Sequence, residues 1–155
     1  MNFDYYDFEP EIFAGIWAGV MITLMLAIIP TIFYLLTLQR TLAAVKPENR
    51  SMAPGQVWMI LIPAFGIVWM FFVVERIGTS VRKEFDDLGI THPEAKPAYG
   101  VGLTMAILMA CCAVPFVNFL AGPAALVLWI IYWVKVAGLK RMIEEQAGQN
   151  LPPAS

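Results

Sequence analysis

The side chains that most often carry chemistry are few in this chain and stand far apart. His92 is the single histidine, and a zinc-type site needs several nitrogen, sulfur or carboxylate ligands that converge on one ion. Cys111 and Cys112 are adjacent inside an apolar run, where a disulfide between neighbours would be strained and free cysteines act as small packing residues. Neither pattern predicts a metal site or a redox site.

The hydroxyl nucleophiles lack a partner base. Ser51, Ser80 and Thr104 have no histidine or lysine at a spacing that would activate a hydroxyl. The sequence contains no glycine-rich phosphate loop, and no ionisable residue interrupts the apolar runs, where a proton pump or a transporter of charged substrates would need one. We therefore predict a protein that is not an enzyme and that binds no cofactor and no metal.

The distribution of charge indicates what kind of element must position any site. All ten Lys and Arg residues fall within the windows 40–50, 76–96 and 135–141, and 59% of the 155 residues are hydrophobic against 14% charged. The uncharged stretches outside these windows exceed the roughly 20 apolar residues that a transmembrane helix requires. The sequence predicts an all-α membrane protein, with residues 1–155 as a single membrane domain folded into a compact bundle of three or four transmembrane helices.

The amino terminus is acidic. Asp4, Asp7, Glu9 and Glu11 precede or begin the first apolar run, and no positively charged leader stands before it. We therefore expect this run to be retained as a span rather than removed as a signal. Because no basic face is present to neutralise phosphates, a nucleic-acid partner is not expected.

Three segments are predicted to cross the membrane. They are 11–38, with Pro30 as a kink, and 98–115 and 120–137, which are joined by an uncharged turn between Pro115 and Pro123. Residues 138–155 are predicted to form a cytoplasmic tail.

The segment 56–75 decides the topology and allows two interpretations. Pro63 and Gly66 stand at its centre, flanked almost symmetrically by Trp58 and Trp69. A re-entrant hairpin would place all ten Lys and Arg on the cytoplasmic side, with the amino terminus outside and the carboxyl terminus inside. A proline-kinked span would instead give four crossings with both termini inside. Seven basic residues would then lie on the cytoplasmic side and three on the outer side. The positive-inside rule favours the hairpin, whereas proline is well tolerated in spanning helices.

Residues 75–89 are predicted to form a cytoplasmic amphipathic helix that ends at Gly89. Ile77, Val81 and Phe85 recur at helical spacing among charges of both signs. We expect this apolar stripe to lie on the membrane surface or on a partner, with the docking residues Arg76, Arg82, Lys83 and Phe85.

Small residues mark two helix-packing faces. Gly15 and Gly19 form a Gly-xxx-Gly on the first span, and Ala98, Gly102, Ala106 and Ala110 form a stripe on the third. Such stripes let membrane helices approach closely, either within one subunit or between subunits.

The chain also resembles a group of small bacterial inner-membrane proteins of unknown function. The resemblance covers most of residues 30–145 and consists of a pattern of prolines and aromatics: Pro47-Glu48-Asn49-Arg50, Pro54-Gly55-Gln56-Val57-Trp58, Ile62-Pro63, Trp69, Val73-Val74, Arg76, Gly102, Pro115, Trp129, Tyr132-Trp133 and Lys135. It implies a multi-pass protein of the cytoplasmic membrane. It implies no activity and no functional residue.

The sequence is compatible with two functions. The first is a non-enzymatic structural or accessory subunit that docks a partner or anionic lipid through its cytoplasmic face. The second is a homo-oligomeric channel or small-solute conduit, in which the segment broken at Pro63 and Gly66 acts as a pore loop. Both predict membrane lipid and other membrane subunits, or further copies of this chain, as partners.

Overall fold

The computed structural model describes residues 10–112 and 115–149, and every regular element in these ranges is helical. The elements are α1 (Pro10–Ala44), a 3₁₀ helix (Pro54–Leu61), α2 (Phe65–Leu88), α3 (Tyr99–Cys111) and α4 (Pro115–Gln149). The predicted all-α class is confirmed for this part of the chain. The chain divides into two compact units, residues 1–34 and residues 35–155.

The described part of the first unit is the amino-terminal portion of α1. Residues 12–29 are all exposed, and each is apolar except Thr23. The Thr23 hydroxyl donates to the Gly19 carbonyl at 2.9 Å, so its hydrogen-bonding need is met inside the helix. α1 continues through Pro30 without interruption.

Two of the described helices are long and apolar enough to cross a membrane, judged by length and composition: α1 over Ile12–Ala44 and α4 over Ala121–Gln149. The predicted span 98–115 appears as α3, which has 13 residues. At 1.5 Å per residue α3 is about 20 Å long, shorter than the roughly 30 Å of a hydrocarbon core. The structure thus supplies two full-length candidates where the sequence predicted three or four.

The segment 56–75 is broken near its middle. The 3₁₀ helix ends at Leu61, a turn follows at 62–64 with Ala64 at φ 61°, and α2 begins at Phe65. The Trp69 indole N–H donates to the Gln56 carbonyl at 2.9 Å, which places the two limbs side by side. We call residues 54–72 the hairpin.

Gly66 allows the two limbs of the hairpin to meet. A Cβ at this position would overlap the carbonyl oxygen of Ile60. Since the obstructing group is backbone, no rotamer change could relieve the overlap.

α2 is a single helix from the hairpin to Leu88, so the predicted amphipathic helix 75–89 is its second half. Its termination at Gly89 is confirmed, because Gly89 has φ 70° and the Ile90 N–H returns to the Phe85 carbonyl at 2.8 Å. The interpretation of the apolar stripe was wrong. Ile77, Val81 and Phe85 are each at most 1% exposed and belong to the chain's own core.

The carboxyl-terminal half differs from prediction in two ways. α4 starts at Pro115 and contains Pro123, so the predicted turn does not extend to Pro123. Residues 113–114, between α3 and α4, lie outside the described part. Pro115 at the first helical position loses no intrahelical bond. The predicted tail 138–155 is helical through Gln149, and Leu139 and Ile143 are buried. Residues 150–155 lie outside the described part.

Candidate functional site: the polar layer of the basic windows

The loop after α1 is fastened to α2 by a buried carboxylate. Glu84 is 2% exposed and accepts hydrogen bonds from the Lys46 backbone N–H and the Asn49 side chain, both at 2.9 Å. Asn49 also donates to Asp87 at 2.7 Å, and the Lys46 ammonium lies 3.9 Å from the same carboxylate. Because a buried carboxylate is costly without donors, these contacts fix the loop against the helix.

A second set of contacts lies one helical turn earlier on α2. The Ser51 backbone N–H donates to the Ser80 hydroxyl at 2.8 Å, and that hydroxyl donates to the Arg76 carbonyl at 2.7 Å. The Arg76 guanidinium returns to the Ser51 carbonyl at 2.6 Å. This closed set of three bonds holds the loop at Ser51, just before the hairpin, on α2.

Glu94 joins the third basic window to the second. Its carboxylate accepts a hydrogen bond from the Lys135 ammonium at 2.9 Å and another from the Ala98 backbone N–H at 2.7 Å. The bond from Lys135 is the main reason that the pKa of Glu94 lies below its ordinary value. The second bond holds Ala98 at φ 62°, a conformation that non-glycine residues rarely adopt. Nearby, Lys96 pairs with Glu75 at 3.3 Å.

Short contacts therefore link windows 40–50 and 135–141 to window 76–96. Lys46 and Asp87 connect window 40–50 to window 76–96, and Glu94 and Lys135 connect the latter to window 135–141. We call this assembly the polar layer. Charges 3 to 4 Å apart cannot stand on opposite sides of a hydrocarbon core about 30 Å thick.

Indole N–H groups mark one edge of this layer. Trp58 donates to the Gln39 side chain at 2.6 Å, and Trp133 donates to the Thr37 hydroxyl at 2.9 Å. Thr37 and Gln39 lie within three residues of Arg40, the first basic residue of the chain. Tryptophan is enriched where apolar and hydrated environments meet.

The two predicted packing stripes have different surroundings. On α3, Ala98, Gly102 and Ala106 are buried and Ala110 is half-buried. A Cβ on Gly102 would stand 2.6 Å from both the Tyr132 ring and a Val74 methyl, so this stripe serves packing within the chain. On α1, by contrast, Gly15 and Gly19 are exposed, and a Cβ on either would meet nothing within 4 Å.

The predicted pore segment and docking set are both divided by the structure. In the predicted pore segment, Pro63 is exposed at the turn, whereas Gly66 is buried and Trp58 and Trp69 are half-buried.

In the predicted docking set, Arg76 and Lys83 are exposed. Arg76 bonds to the Ser51 carbonyl, and Arg82 forms an ion pair with Asp86 at 3.1 Å. Phe85 is in the core and cannot dock a partner.

The sequence analysis did not single out Glu84, the residue that organises the polar layer. A signal was present, because Glu84 follows Ile77 by seven residues and Val81 by three. That spacing puts it on the same helical face as the apolar stripe. Burial of the stripe therefore required burial of Glu84.

His92 lies beside Glu94 in the polar layer. Its Nδ1 accepts the Glu94 backbone N–H at 3.2 Å. Over residues 10–112 and 115–149, no three His, Cys, Asp or Glu side chains converge in a geometry that would hold an ion.

No family model matches the chain, and no curated protein or solved structure matches it. The resemblance to small bacterial inner-membrane proteins thus gains no support from these comparisons and stays a prediction.

Proposed function

We propose that this chain is a multi-pass protein of the bacterial cytoplasmic membrane that acts as a non-enzymatic accessory or structural subunit. In this proposal α1 crosses the bilayer and carries a partner's transmembrane helix, and the polar layer faces the cytoplasm together with the carboxyl-terminal part of α4. The observation that carries the proposal is the run of exposed apolar residues at 12–29. In water such a surface would be far larger than soluble proteins tolerate.

The partner face on α1 is the one that contains Gly15 and Gly19. Both glycines lie on the same side of the helix, four residues apart, with open space where a side chain would be. Lipid supplies no hydrophobic drive between helices, so close backbone approach at small residues is what favours association.

Substitution of these glycines tests the proposal. The protein, extracted in mild detergent, would be examined by native mass spectrometry with identification of co-purifying chains. We expect a stoichiometric partner that is lost in Gly15→Leu and Gly19→Leu, while Gly138→Leu keeps it. Gly138 is the matched control because it is also an exposed helical glycine with open space around it. A particle of one chain alone, in wild type and variants alike, would contradict the proposal.

We also propose that the hairpin enters the membrane from the cytoplasmic side and returns to it. The meeting of all three basic windows in the polar layer supports this topology, since a spanning segment 56–75 would separate window 40–50 from window 76–96. The exposed side chains at the tip are apolar, including Leu61, Ile62 and Phe65. The Ile62 amide donates to the Met59 carbonyl of the 3₁₀ helix, and the Phe65 and Gly66 amides donate to carbonyls of the turn. These bonds lower the free-energy cost of placing irregular backbone inside the membrane.

A nitroxide label measures the depth of this tip. In a chain with Cys111 and Cys112 replaced by alanine, a label at Ile62→Cys is expected to collide with oxygen and to be shielded from a water-soluble nickel chelate. A label at Glu48→Cys, in the exposed loop of the polar layer, is the control and should show the reverse. Equal exposure of both labels to the chelate would place the hairpin outside the bilayer.

A second candidate function is a homo-oligomeric conduit. It is favoured by the exposure of Pro63 and Ala64 at the irregular turn, because irregular backbone at membrane depth is tolerated when another protomer covers it or when it lines a water-filled cavity. Vesicles reconstituted with the purified chain would then release small solutes. A closed oligomer of this chain with measurable flux would favour the conduit over the accessory subunit.

A further inference from the structure

Two arginines of the polar layer differ from the neighbouring basic residues in the groups they contact. Lys46, Arg82, Lys96, Lys135 and Lys140 each lie within 4 Å of a carboxylate. Arg50 instead donates to the Val45 carbonyl at 2.8 Å and the Ala43 carbonyl at 2.9 Å, and Arg76 donates to the Ser51 carbonyl. Backbone carbonyls carry only a partial negative charge, so neither guanidinium is neutralised by these contacts.

Both arginines adjoin the same short loop, residues 50–54, although the Arg50 guanidinium itself bonds back to carbonyls at the end of α1. Arg50 begins the loop, and Arg76 is bonded to its second residue, Ser51. An open cavity of about 320 Å³ lies along residues 50–54 and is completed by Pro47. A guanidinium has five N–H donors, and the contacts above use two of them on Arg50 and one on Arg76.

The position of the loop relative to the hairpin determines which anion could reach it. Pro54, the last cavity residue, is also the first residue of the hairpin. Two residues further on, the Gln56 carbonyl accepts the Trp69 indole N–H, and exposed Leu61 and Ile62 come later in the same limb. The cavity therefore lies where a chain leaves water for an apolar environment, which is the level of lipid headgroups.

We propose that Arg50 and Arg76 bind the phosphate of an anionic phospholipid whose headgroup occupies the cavity at 47–54. This inference rests on the proposed membrane placement and adds the lipid class and its ligands. The planar guanidinium of arginine, with parallel N–H donors, matches phosphate oxygens. Within residues 10–112 and 115–149 neither cation lies in an ion pair with a carboxylate, which favours a lipid with net negative charge over a zwitterionic one. The apolar part of the wall, including Met52 and Ala53, suits a lipid rather than free phosphate.

Native mass spectrometry of the full chain, titrated in detergent with phosphatidylglycerol or phosphatidylcholine, tests the site. We expect one phosphatidylglycerol to bind more tightly than phosphatidylcholine and Arg76→Gln to weaken that event by about tenfold, the scale of one charged hydrogen bond. Lys83→Gln removes the same charge from an exposed position on the same helix and should leave binding unchanged. Arg50→Lys keeps the positive charge but loses the planar guanidinium, so it should also weaken binding. It provides a second variant if Arg76→Gln does not fold.

Three results would overturn the inference: equal losses in Arg76→Gln and Lys83→Gln, equal affinity for the two lipids, or displacement of the lipid by an equimolar amount of inorganic phosphate. These outcomes are distinct from failure of the proposed function. A chain that is recovered from membranes with its partner but has no tight lipid fails only the present inference. A chain that does not insert into membranes fails the proposed function.

Discussion

Gly100 and Gly102 show how differently two neighbouring residues of the same type can be constrained. Both lie on α3, but Gly100 is exposed with nothing near its missing Cβ, whereas Gly102 contacts Tyr132 of α4 and Val74 of α2. The small residue at 102 sets the distance between three helices. Its role is structural and internal to the chain.

We predict that Gly102→Ala lowers the free energy of unfolding by about 1–3 kcal/mol, the usual cost of overpacking. Gly100→Ala should be neutral or stabilising by up to about 1 kcal/mol, because alanine has the higher helix propensity. Thermal unfolding of both variants in one detergent provides the comparison. Equal melting temperatures would mean that the helices do not meet closely at Gly102.

Glu94 provides a pH dependence at the residue scale. The pKa of Glu94 lies below its ordinary value of 4.5 because Lys135 donates to the carboxylate. A carboxylate with a lowered folded-state pKa contributes stability that is present above pH 4.5 and lost as the pH falls through the folded value. Wild type should therefore be more stable than Glu94→Gln at neutral pH, and the difference should shrink below pH 4.5. Melting temperatures of wild type and Glu94→Gln would be measured between pH 7 and pH 3, and a constant difference between them would refute this prediction. Glu48→Gln serves as the control for an exposed carboxylate.

At the scale of elements, α2 has two different surroundings along one continuous helix. Its first turns pair with the 3₁₀ helix in the hairpin, and its second half carries both the buried stripe and the acids that bind the loop 46–51. The hydrophobic periodicity was interpreted correctly as one apolar face. What covers that face is the rest of the chain.

Phe85 and Lys83 separate the core role of α2 from a docking role. Phe85→Ala should destabilise the fold by about 3–5 kcal/mol, as expected for a fully buried aromatic side chain. Lys83→Ala, on an exposed position two residues away, should change stability by less than about 0.5 kcal/mol. Chemical denaturation in detergent measures both. A Phe85→Ala variant of wild-type stability would restore the view that this residue faces a partner.

The hairpin depends on the absence of a side chain at Gly66. Because a Cβ there would overlap the Ile60 carbonyl, we expect Gly66→Ala to cost about 3 kcal/mol or to open the turn. Gly55→Ala is the control, since Gly55 lies in the same hairpin with open space around it. Rapid proteolysis near residue 63 in the Gly66 variant, but not in the control, would report the opening.

At the scale of the whole molecule, the contacts among the basic windows predict a topology. In a chain without its native cysteines, single cysteines at Glu48, Thr91 and Glu145 should all react with an impermeant maleimide from the cytoplasmic side. A tag at residue 1 should be accessible from the opposite side, because α1 crosses the membrane once in the proposed topology. Labelling of Glu48→Cys from the outside would instead indicate four crossings and would conflict with the contact between Lys46 and Asp87.

The sequence alone determined the helical class, the position of the basic windows, the break near Pro63 and the end of a helix at Gly89. Each follows from local physics: apolar run length, proline and glycine geometry, and the periodicity of a single helix. The choice between a hairpin and a span at 56–75 could not be made in this way, because both place the same residues at the membrane surface. Only the tertiary structure, through bonds such as those from Lys46 and Asn49 to Glu84, decided which windows are neighbours. Such contacts join residues more than thirty positions apart, and no local pattern specifies which apolar stripe will be covered by the chain itself and which, as on α1, will stay exposed.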